Sequence, residues 1–197
     1  MVKDAALVVV DMLYDFIDGS MACAEAETAV RKTLQWLEKN LPGASADEQL
    51  IEGSGLPVLF VCDTHPADHS SFVEQGGPWP AHCVAGTHGA EIHHDLLPYV
   101  DEDMVFRKGC DKAVEQYSGF EGRNAAGQSL AEVLDILDIR NVYVCGIATE
   151  YCVRNTAEDL LKAGFRVTLL QGALGYVDHA GHLEALEAMK AEGITLI

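Results

Sequence analysis

The chain has 197 residues, of which 49% are hydrophobic and 22% charged, as is typical of a globular protein with one sizeable core. Its 31 acidic residues outnumber 13 basic ones, and the net charge of −18 argues against nucleic acid or anionic lipid as partners, because their phosphates require basic surfaces. We therefore expect a single domain over residues 1–197, with neither nucleic acid nor a membrane as a partner.

The N-terminal stretch MVKDAALVVVDMLYDF carries one lysine followed at once by an aspartate, and Asp11 interrupts its apolar run. This pattern is a poor secretory signal and is too short to cross a membrane, so we expect a cytoplasmic protein. The six cysteines are scattered without CxxC spacing, which favours neither a disulfide framework nor a thiolate zinc site.

Two kinds of pattern alternate along the chain. Short apolar runs rich in β-branched residues predict buried strands at residues 6–11, 57–63, 104–108, 141–146, 166–171 and 194–197. Apolar residues at helical spacing predict helices whose buried faces are Val30, Leu34, Leu37 and Leu41; Leu130, Val133, Leu134 and Leu137; Val153, Ala157, Leu160 and Leu161; and Leu183, Leu186 and Met189. The alternation predicts an α/β fold around a mainly parallel sheet.

Chemically reactive residues follow the predicted strands. Asp11 ends the first strand, Asp63 the second and Lys108 the third, and a glycine turn after the fourth leads to Cys152. In open α/β sheets ligands bind beyond the carboxyl ends of the strands, so these side chains are expected at a common edge. Asp11, Lys108 and Cys152 therefore form a candidate catalytic triad of carboxylate, ammonium and nucleophile.

Cys152 lies in the sequence GIATEYCV, at the start of a predicted helix. Unpaired backbone N–H groups and the positive end of the helix dipole favour a thiolate over a thiol there, and a neighbouring Lys108 would act in the same direction. The alternative is one more buried apolar cysteine, which is our interpretation of Cys62 and Cys145 inside strands. The acid and the base that accompany Cys152 favour catalysis.

A second set of residues begins at Asp63 and continues into the long irregular stretch 64–103, whose length suggests a functional loop. Asp63 and His65 are two apart, so in extended backbone their side chains point the same way, as two ligands of one ion would. His82 completes the predicted set, and His69 is a candidate fourth ligand. One carboxylate with two or three imidazoles suits zinc, with manganese or iron(II) as alternatives. The remaining histidines are interpreted as surface residues: His88, His93, His94, His179 and His182.

Five segments resemble, in the same order, those of nicotinamidases (pyrazinamidases) of the isochorismatase-like cysteine hydrolase superfamily. They are VVDMLYDF, DTHPADHSSF, WPAHCVAGTHGAE, RKGCDKAVEQYSGFEG and GIATEYCV, and together they span nearly the whole chain. GIATEYCV marks the superfamily, whereas WPAHC and YSGFEG point to nicotinamidases within it. The resemblance implies a three-layer, Rossmann-like, doubly wound fold with six parallel strands and helices on both faces.

The resemblance also implies roles for the residues named above. Cys152 would attack an amide carbonyl to give a thioester, Asp11 would pass the thiol proton to departing ammonia, and Lys108 would stabilise the charges. Backbone N–H groups of Ala148 and Cys152 would form the oxyanion hole, beside a cis peptide between Ile147 and Ala148.

For the substrate, the resemblance implies a pyridine amide next to one divalent ion held by the predicted ligands, with open positions for water and the ring nitrogen. Phe16 and Trp79 would contact the ring faces. Tyr117 is a further pocket candidate, although a structural role in the turn around Gly119 and Gly122 is the alternative.

The chain departs from the family pattern at three places. Leu13 stands where many relatives carry glutamine, Thr64 where many carry a tryptophan between two metal ligands, and Glu150 where aspartate is frequent. Asp15 matches the pattern and is interpreted as structural. The first two departures alter the neighbourhood of the pocket and leave the choice of substrate open.

Three functions therefore remain open from the sequence. The first is hydrolysis of nicotinamide, a small-molecule amide, to nicotinate and ammonia in NAD salvage. The second is hydrolysis of a carbamoyl or ureido amide, against which His82 argues because such a substrate has no evident use for a pyridine-binding metal. The third is a metal-bearing binding protein without turnover, against which the intact triad argues. The sequence leaves open whether the chain forms a homo-oligomer.

Overall fold

The computed structural model describes residues 4–41 and 55–197, and within them six parallel strands form one sheet in the order β3-β2-β1-β4-β5-β6. The strands are β1 (Ala5–Val10), β2 (Val58–Asp63), β3 (Val105–Lys108), β4 (Asn141–Gly146), β5 (Arg166–Leu174) and β6 (Thr195–Leu196). The predicted fold is confirmed, since all the predicted strands are present and pair in parallel.

Helices cover both faces of this sheet. They are α1 (Tyr14–Ile17), α2 (Ala26–Asn40), α3 (Leu130–Ile136), α4 (Arg154–Lys162) and α5 (His179–Ala191). A π-helical turn at Thr149–Val153 leads into α4, and short 3-10 turns lie at Val73–Gln75, His88–Ala90, His94–Tyr99, Glu102–Met104 and Gly119–Glu121. Within the described ranges, none of the helices combines the length and the apolar character that crossing a membrane requires.

Two apolar cores lie on opposite faces of the sheet, because successive strand residues point to opposite sides. Val8 and Val10 of β1 join α3, α4 and α5 in one core, whereas Leu7 and Val9 join α1 and α2 in the other. All six residues of β1 are buried, as expected for a central strand that is covered on both sides.

Two leucines that were predicted to lie on buried helix faces are exposed instead. Leu137 is 36% exposed because α3 ends at Ile136, so this leucine lies outside the helix. Leu183 is 49% exposed although Met189 is buried, since six residues at about 100° each place the two side chains roughly 120° apart around α5.

The strand ends also differ from the predicted boundaries. β5 continues to Leu174, with an irregularity in its register against β4 between Val144 and Gly146. β6 contains only Thr195 and Leu196. The irregular register lies beside the turn that follows β4, so it falls where the chain leaves the sheet towards Cys152.

Candidate active site

The carboxyl ends of three neighbouring strands bring Asp11, Asp63 and Lys108 together. Asp63 and Lys108 are register partners between β2 and β3, and Asp11 directly follows the adjacent β1. Lys108 Nζ lies 2.9 Å from Asp11 Oδ2 and also contacts Asp63 Oδ1, while the Asp63 amide donates to Asp11 Oδ1 at 2.8 Å. All three residues are buried, so a buried ammonium joins two buried carboxylates.

Cys152 completes the predicted triad from the π-helical turn. Lys108 Nζ donates a hydrogen bond to Cys152 Sγ at 3.3 Å. The turn is reached through Gly146, whose φ is +127° and where a Cβ would lie 1.9 Å from the Val10 carbonyl oxygen. A glycine is therefore required at this position, where the end of β4 packs closely against β1. The implied cis peptide between Ile147 and Ala148 is present in the structure.

The charges at the site shift the pKa of each group. Burial alone would lower the pKa of Lys108, but the carboxylates of Asp11 and Asp63 raise it well above its ordinary value. Burial and the nearby Asp63 carboxylate raise the pKa of Asp11 to about 6, against the opposing effect of Lys108. Asp11 is thus a stronger base than an ordinary aspartate and titrates near neutrality.

The structure contradicts the expectation of a Cys152 thiolate. Burial raises the pKa of the Cys152 thiol, and the carboxylates of Asp11 and Asp63 raise it further, which outweighs the opposing charge of Lys108. The sequence argument considered the helix start and the lysine, but not burial beside two anions. These residues therefore favour a neutral thiol with a carboxylate base beside it.

The three predicted metal ligands also converge. Asp63, His65 and His82 are buried and each offers one ligand atom, all within 4.8 Å of one another. His65 Nδ1 bonds the Gly109 carbonyl at 3.0 Å and His82 Nδ1 the Pro80 carbonyl at 2.7 Å, which leaves both Nε2 atoms for the cluster. His65 Nε2 is buried and has no hydrogen-bond partner among the described residues. The donor set therefore fits a divalent cation.

Burial and neighbouring charges shift the pKa of each of the three predicted ligands. Burial would raise the pKa of Asp63, but Lys108 and His65 lower it below its ordinary value. Burial opposes protonation of His65, yet the Asp63 carboxylate raises the pKa of that imidazole. Burial lowers the pKa of His82, so this imidazole is favoured in the neutral form that binds metals.

The structure does not bring His69 into the ligand set, in contrast to the sequence prediction. Its Nδ1 bonds the Ser71 hydroxyl at 2.7 Å and its Nε2 lies 3.2 Å from the Val114 carbonyl oxygen, so both ring nitrogens have other partners. The His69 ring packs against His65, with ring centroids 4.3 Å apart. His69 therefore packs against the predicted ligand His65 and is not itself part of the ligand set.

A pocket opens above Cys152 and is lined by the three predicted aromatic side chains, Phe16, Trp79 and Tyr117. The Trp79 indole donates to the Tyr117 hydroxyl at 3.1 Å, so Tyr117 also fixes the Trp79 ring. Asp63, His82 and Ala148 line the same pocket, which joins the triad to the ligand set. The sequence prediction missed the other lining residues, Met21, Cys23, Glu115, Tyr151 and Val177.

Tyr151 is the clearest of the missed residues. Its ring meets Trp79 edge-on at 5.2 Å and lies 5.5 Å from Tyr117, so it braces both aromatic side chains. Its position next to Cys152 in GIATEYCV was the one signal in the sequence. Glu150, which precedes Tyr151 and stands where aspartate is frequent in the family, accepts hydrogen bonds from the Val177 and Asp178 amides at 2.9 and 2.7 Å. It has a structural role.

The sequence pattern of the isochorismatase domain family matches residues 5–197, which is nearly the whole chain. The chain belongs to the isochorismatase family. Among curated members, the nicotinamidase/pyrazinamidase of Mycobacterium tuberculosis is 32% identical over 196 residues, covering 98% of this chain and 97% of that protein.

Solved structures of isochorismatase-like hydrolases have the same fold. The zinc complex of Pyrococcus horikoshii pyrazinamidase superposes with a TM-score of 0.84 and 37% identity, covering 98% of both chains. The nicotinate complex of PnC1 from L. infantum superposes with a TM-score of 0.79 and 32% identity, covering 99% of this chain and 92% of that one. The predicted membership of this family is confirmed.

Proposed function

We propose that this protein is an amidohydrolase that converts nicotinamide to nicotinate and ammonia, a step of NAD salvage. The observation that carries the proposal is the meeting, at one pocket, of the buried Asp11, Lys108 and Cys152 with a metal-ligand set and flat aromatic side chains. Family relatives named as nicotinamidases support the same activity.

In the first step Cys152 Sγ attacks the amide carbonyl carbon while the Asp11 carboxylate accepts the thiol proton. A base is needed because the raised pKa of Cys152 keeps the thiol protonated. Asp11, with a pKa of about 6, is matched to this transfer near neutral pH. Lys108, in contact with both groups, stabilises negative charge wherever the proton lies.

The tetrahedral intermediate then expels ammonia. Protonated Asp11 gives its proton to the amide nitrogen as the C–N bond breaks, which leaves a thioester on Cys152 and restores the Asp11 carboxylate. A water molecule attacks the thioester carbonyl while Asp11 takes one of its protons. Asp11 returns that proton to the Cys152 sulfur as the C–S bond breaks, which restores the thiol and the Asp11 carboxylate. Nicotinic acid leaves and loses its remaining acidic proton to solvent as nicotinate.

The negative oxygen of each tetrahedral intermediate needs hydrogen-bond donors, which we assign to the amides of Ala148 and Cys152. No acceptor in residues 4–41 and 55–197 receives the Ala148 amide, so it is free to donate. Ala148 lines the pocket beside Cys152, which supports this assignment.

Asp63, His65 and His82 would hold one divalent ion, and we propose zinc, with manganese or iron(II) as alternatives. When bound, the ion supplies positive charge and open coordination positions for water and for the pyridine nitrogen. Phe16 and Trp79 hold the ring by contact with its faces. A substrate positioned in this way presents its carboxamide to Cys152.

Hydrolysis of a carbamoyl or ureido amide is the less favoured alternative. It would use the same triad, but His82 and the three aromatic side chains would have no evident role. A binding protein without turnover is disfavoured because it gains nothing from a buried base beside a thiol. The single domain over residues 1–197, the cytoplasmic location and a homo-oligomer remain predictions.

The first test is release of ammonia from nicotinamide by zinc-loaded protein. We expect turnover with nicotinamide, little with a carbamoyl or ureido amide, and a loss of at least about tenfold after chelation that is reversed by zinc. Ammonia is measured by a coupled assay and nicotinate by chromatography. Zinc-loaded protein that hydrolyses only the carbamoyl or ureido amide would establish the alternative.

Asp15 allows a prediction about the metal site itself. Its Oδ2 accepts the Cys83 amide at 2.7 Å, and its neighbour Ser20 donates to the Ala81 carbonyl at 2.8 Å, so both residues that flank His82 are tied to this segment. We expect Asp15→Ala to weaken zinc binding about tenfold, because the backbone next to the ligand His82 would lose the contact that fixes it. Competition with a chromophoric chelator measures the affinity.

The exposed Asp18, three residues further along, provides the matched control for this test. Asp18→Ala should leave zinc affinity unchanged. Equal zinc affinity in Asp15→Ala and wild-type protein would show that the His82 loop does not depend on this contact.

A further inference from the structure

A second cluster of ligand atoms lies at the turn His94–Tyr99. His93, His94 and Asp95 each offer one such atom, and the three lie within 4.8 Å of one another. The Asp95 carboxylate lies near both imidazoles, with Oδ1 3.2 Å from His94 Nε2 and Oδ2 3.9 Å from His93 Nδ1. None of these residues belongs to the triad or the buried ligand set.

Tyr14 orients the His94 ring. The Tyr14 oxygen lies 2.8 Å from His94 Nδ1 and accepts the His94 amide at 3.3 Å, so Nε2 is the nitrogen that faces Asp95. Ligating histidines typically use one ring nitrogen for the metal and the other for a hydrogen bond of this kind. On His93, Nδ1 accepts the Asp95 amide at 3.4 Å and lies 3.9 Å from Asp95 Oδ2, so an ion bound at this nitrogen would replace a long hydrogen bond.

The backbone beneath the cluster is already fixed. The His93 amide donates to the Met12 carbonyl at 3.0 Å, and the Tyr14 amide donates to the Glu91 carbonyl at 3.2 Å. Leu96, in the same turn, is fully buried in the core. Binding an ion therefore does not have to order the backbone of this segment, and the entropic cost is limited to the side chains.

Solvent and ions can reach the cluster. The side chains of His94 and Asp95 are 66% and 50% exposed, and that of His93 is 15% exposed. Tyr14 and His94 also line an open cleft of about 730 Å³. A bound ion would thus keep coordination positions open to water.

We propose that His93, His94 and Asp95 form a second, surface metal site that binds an exchangeable zinc ion. Two imidazoles and one carboxylate are a common zinc ligand set, and water completes the coordination. The ion binds more weakly here than at the buried set, because two of the three ligands must be held in place from solvent. The inference does not depend on the proposed amide hydrolysis.

The test counts zinc ions per chain after equilibrium dialysis of the full-length protein. We expect His94→Ala and Asp95→Asn to lose one zinc ion per chain relative to wild type, and to lose it also in a His82→Ala background. Tyr14→Phe should weaken the same ion about tenfold, because the hydroxyl that orients His94 is gone. The exposed His179 of α5 provides the control, and His179→Ala should lose no zinc.

Because His94 and Asp95 carry exposed side chains and Tyr14 is half-buried, the single variants are expected to fold, which circular dichroism checks. A wild-type zinc count in His94→Ala and Asp95→Asn would overturn the proposal. An equal loss in His179→Ala would overturn it as well, since zinc would then be bound by surface histidines in general.

Discussion

Replacement of Cys152 by alanine is expected to reduce ammonia release from nicotinamide by at least about a thousandfold, because the thioester forms on this sulfur, which is the one that Lys108 contacts in the triad. Zinc binding should persist, since Cys152 is not one of the three converging ligands at Asp63, His65 and His82. Single-turnover assays with mass spectrometry follow both ammonia and the acyl adduct. Wild-type protein quenched during turnover should carry the acyl group, and Cys152→Ala should not.

Cys110 is the matched control for this substitution, because it is an exposed cysteine close in sequence to Lys108. Cys110→Ala should retain full turnover and the acyl adduct. Substantial ammonia release by Cys152→Ala would contradict the nucleophilic mechanism and would favour direct attack by water.

Replacement of Lys108 by methionine is expected to remove turnover and also to destabilise the fold. Asp11 and Asp63 would remain buried beside one another without their common cation, and breaking a buried ion pair in this way costs about 3 to 5 kcal/mol. Urea unfolding of chelated protein at neutral pH measures the difference. The exposed pair of Lys112 and Asp68 supplies the control, and Lys112→Met should change the stability little.

The pH dependence of this variant gives a further check on the cause. The pKa of Asp11 is already raised in the presence of Lys108, and it should rise further without the ammonium. A raised carboxyl pKa means that the folded state binds a proton more tightly than the unfolded state, so acidification stabilises the variant relative to wild type. Combining Lys108→Met with Asp11→Asn should restore part of the stability but none of the turnover. A loss that is the same at acidic and neutral pH would contradict carboxylate repulsion.

The sequence predicts the sheet well because strands that are buried on both faces must be apolar throughout. All the strands were located from such runs, and the polar residues at the carboxyl ends of β1, β2 and β3 were those that meet in the structure. The side-chain register of neighbouring parallel strands is enough to bring these strand ends together.

Properties that depend on packing between distant segments were not predictable in the same way. The protonation of Cys152 depends on burial and on two carboxylates from other strands, none of which the local helix start reveals. His69 was a reasonable ligand by residue type, but its ring nitrogens are taken by Ser71 and Val114. The contact between Val114 and His69 spans 45 positions and has no signal in local sequence.

The surface histidines give a similar lesson. His93 and His94 lacked any partner in the sequence that would set them apart from solvated residues. Tyr14, which contacts His94, is 80 positions away from it, and the two segments meet through an antiparallel bridge of Leu13 with Ile92 and its neighbouring backbone hydrogen bonds.

The raised pKa of the Cys152 thiol bears on how this nucleophile survives in a cell. Peroxides and disulfides react with thiolates far faster than with thiols, and a buried sulfur is also hard for them to approach. Cys152 is both buried and held protonated until Asp11 takes its proton during attack on a substrate. The nucleophile is therefore resistant to oxidation while it is idle.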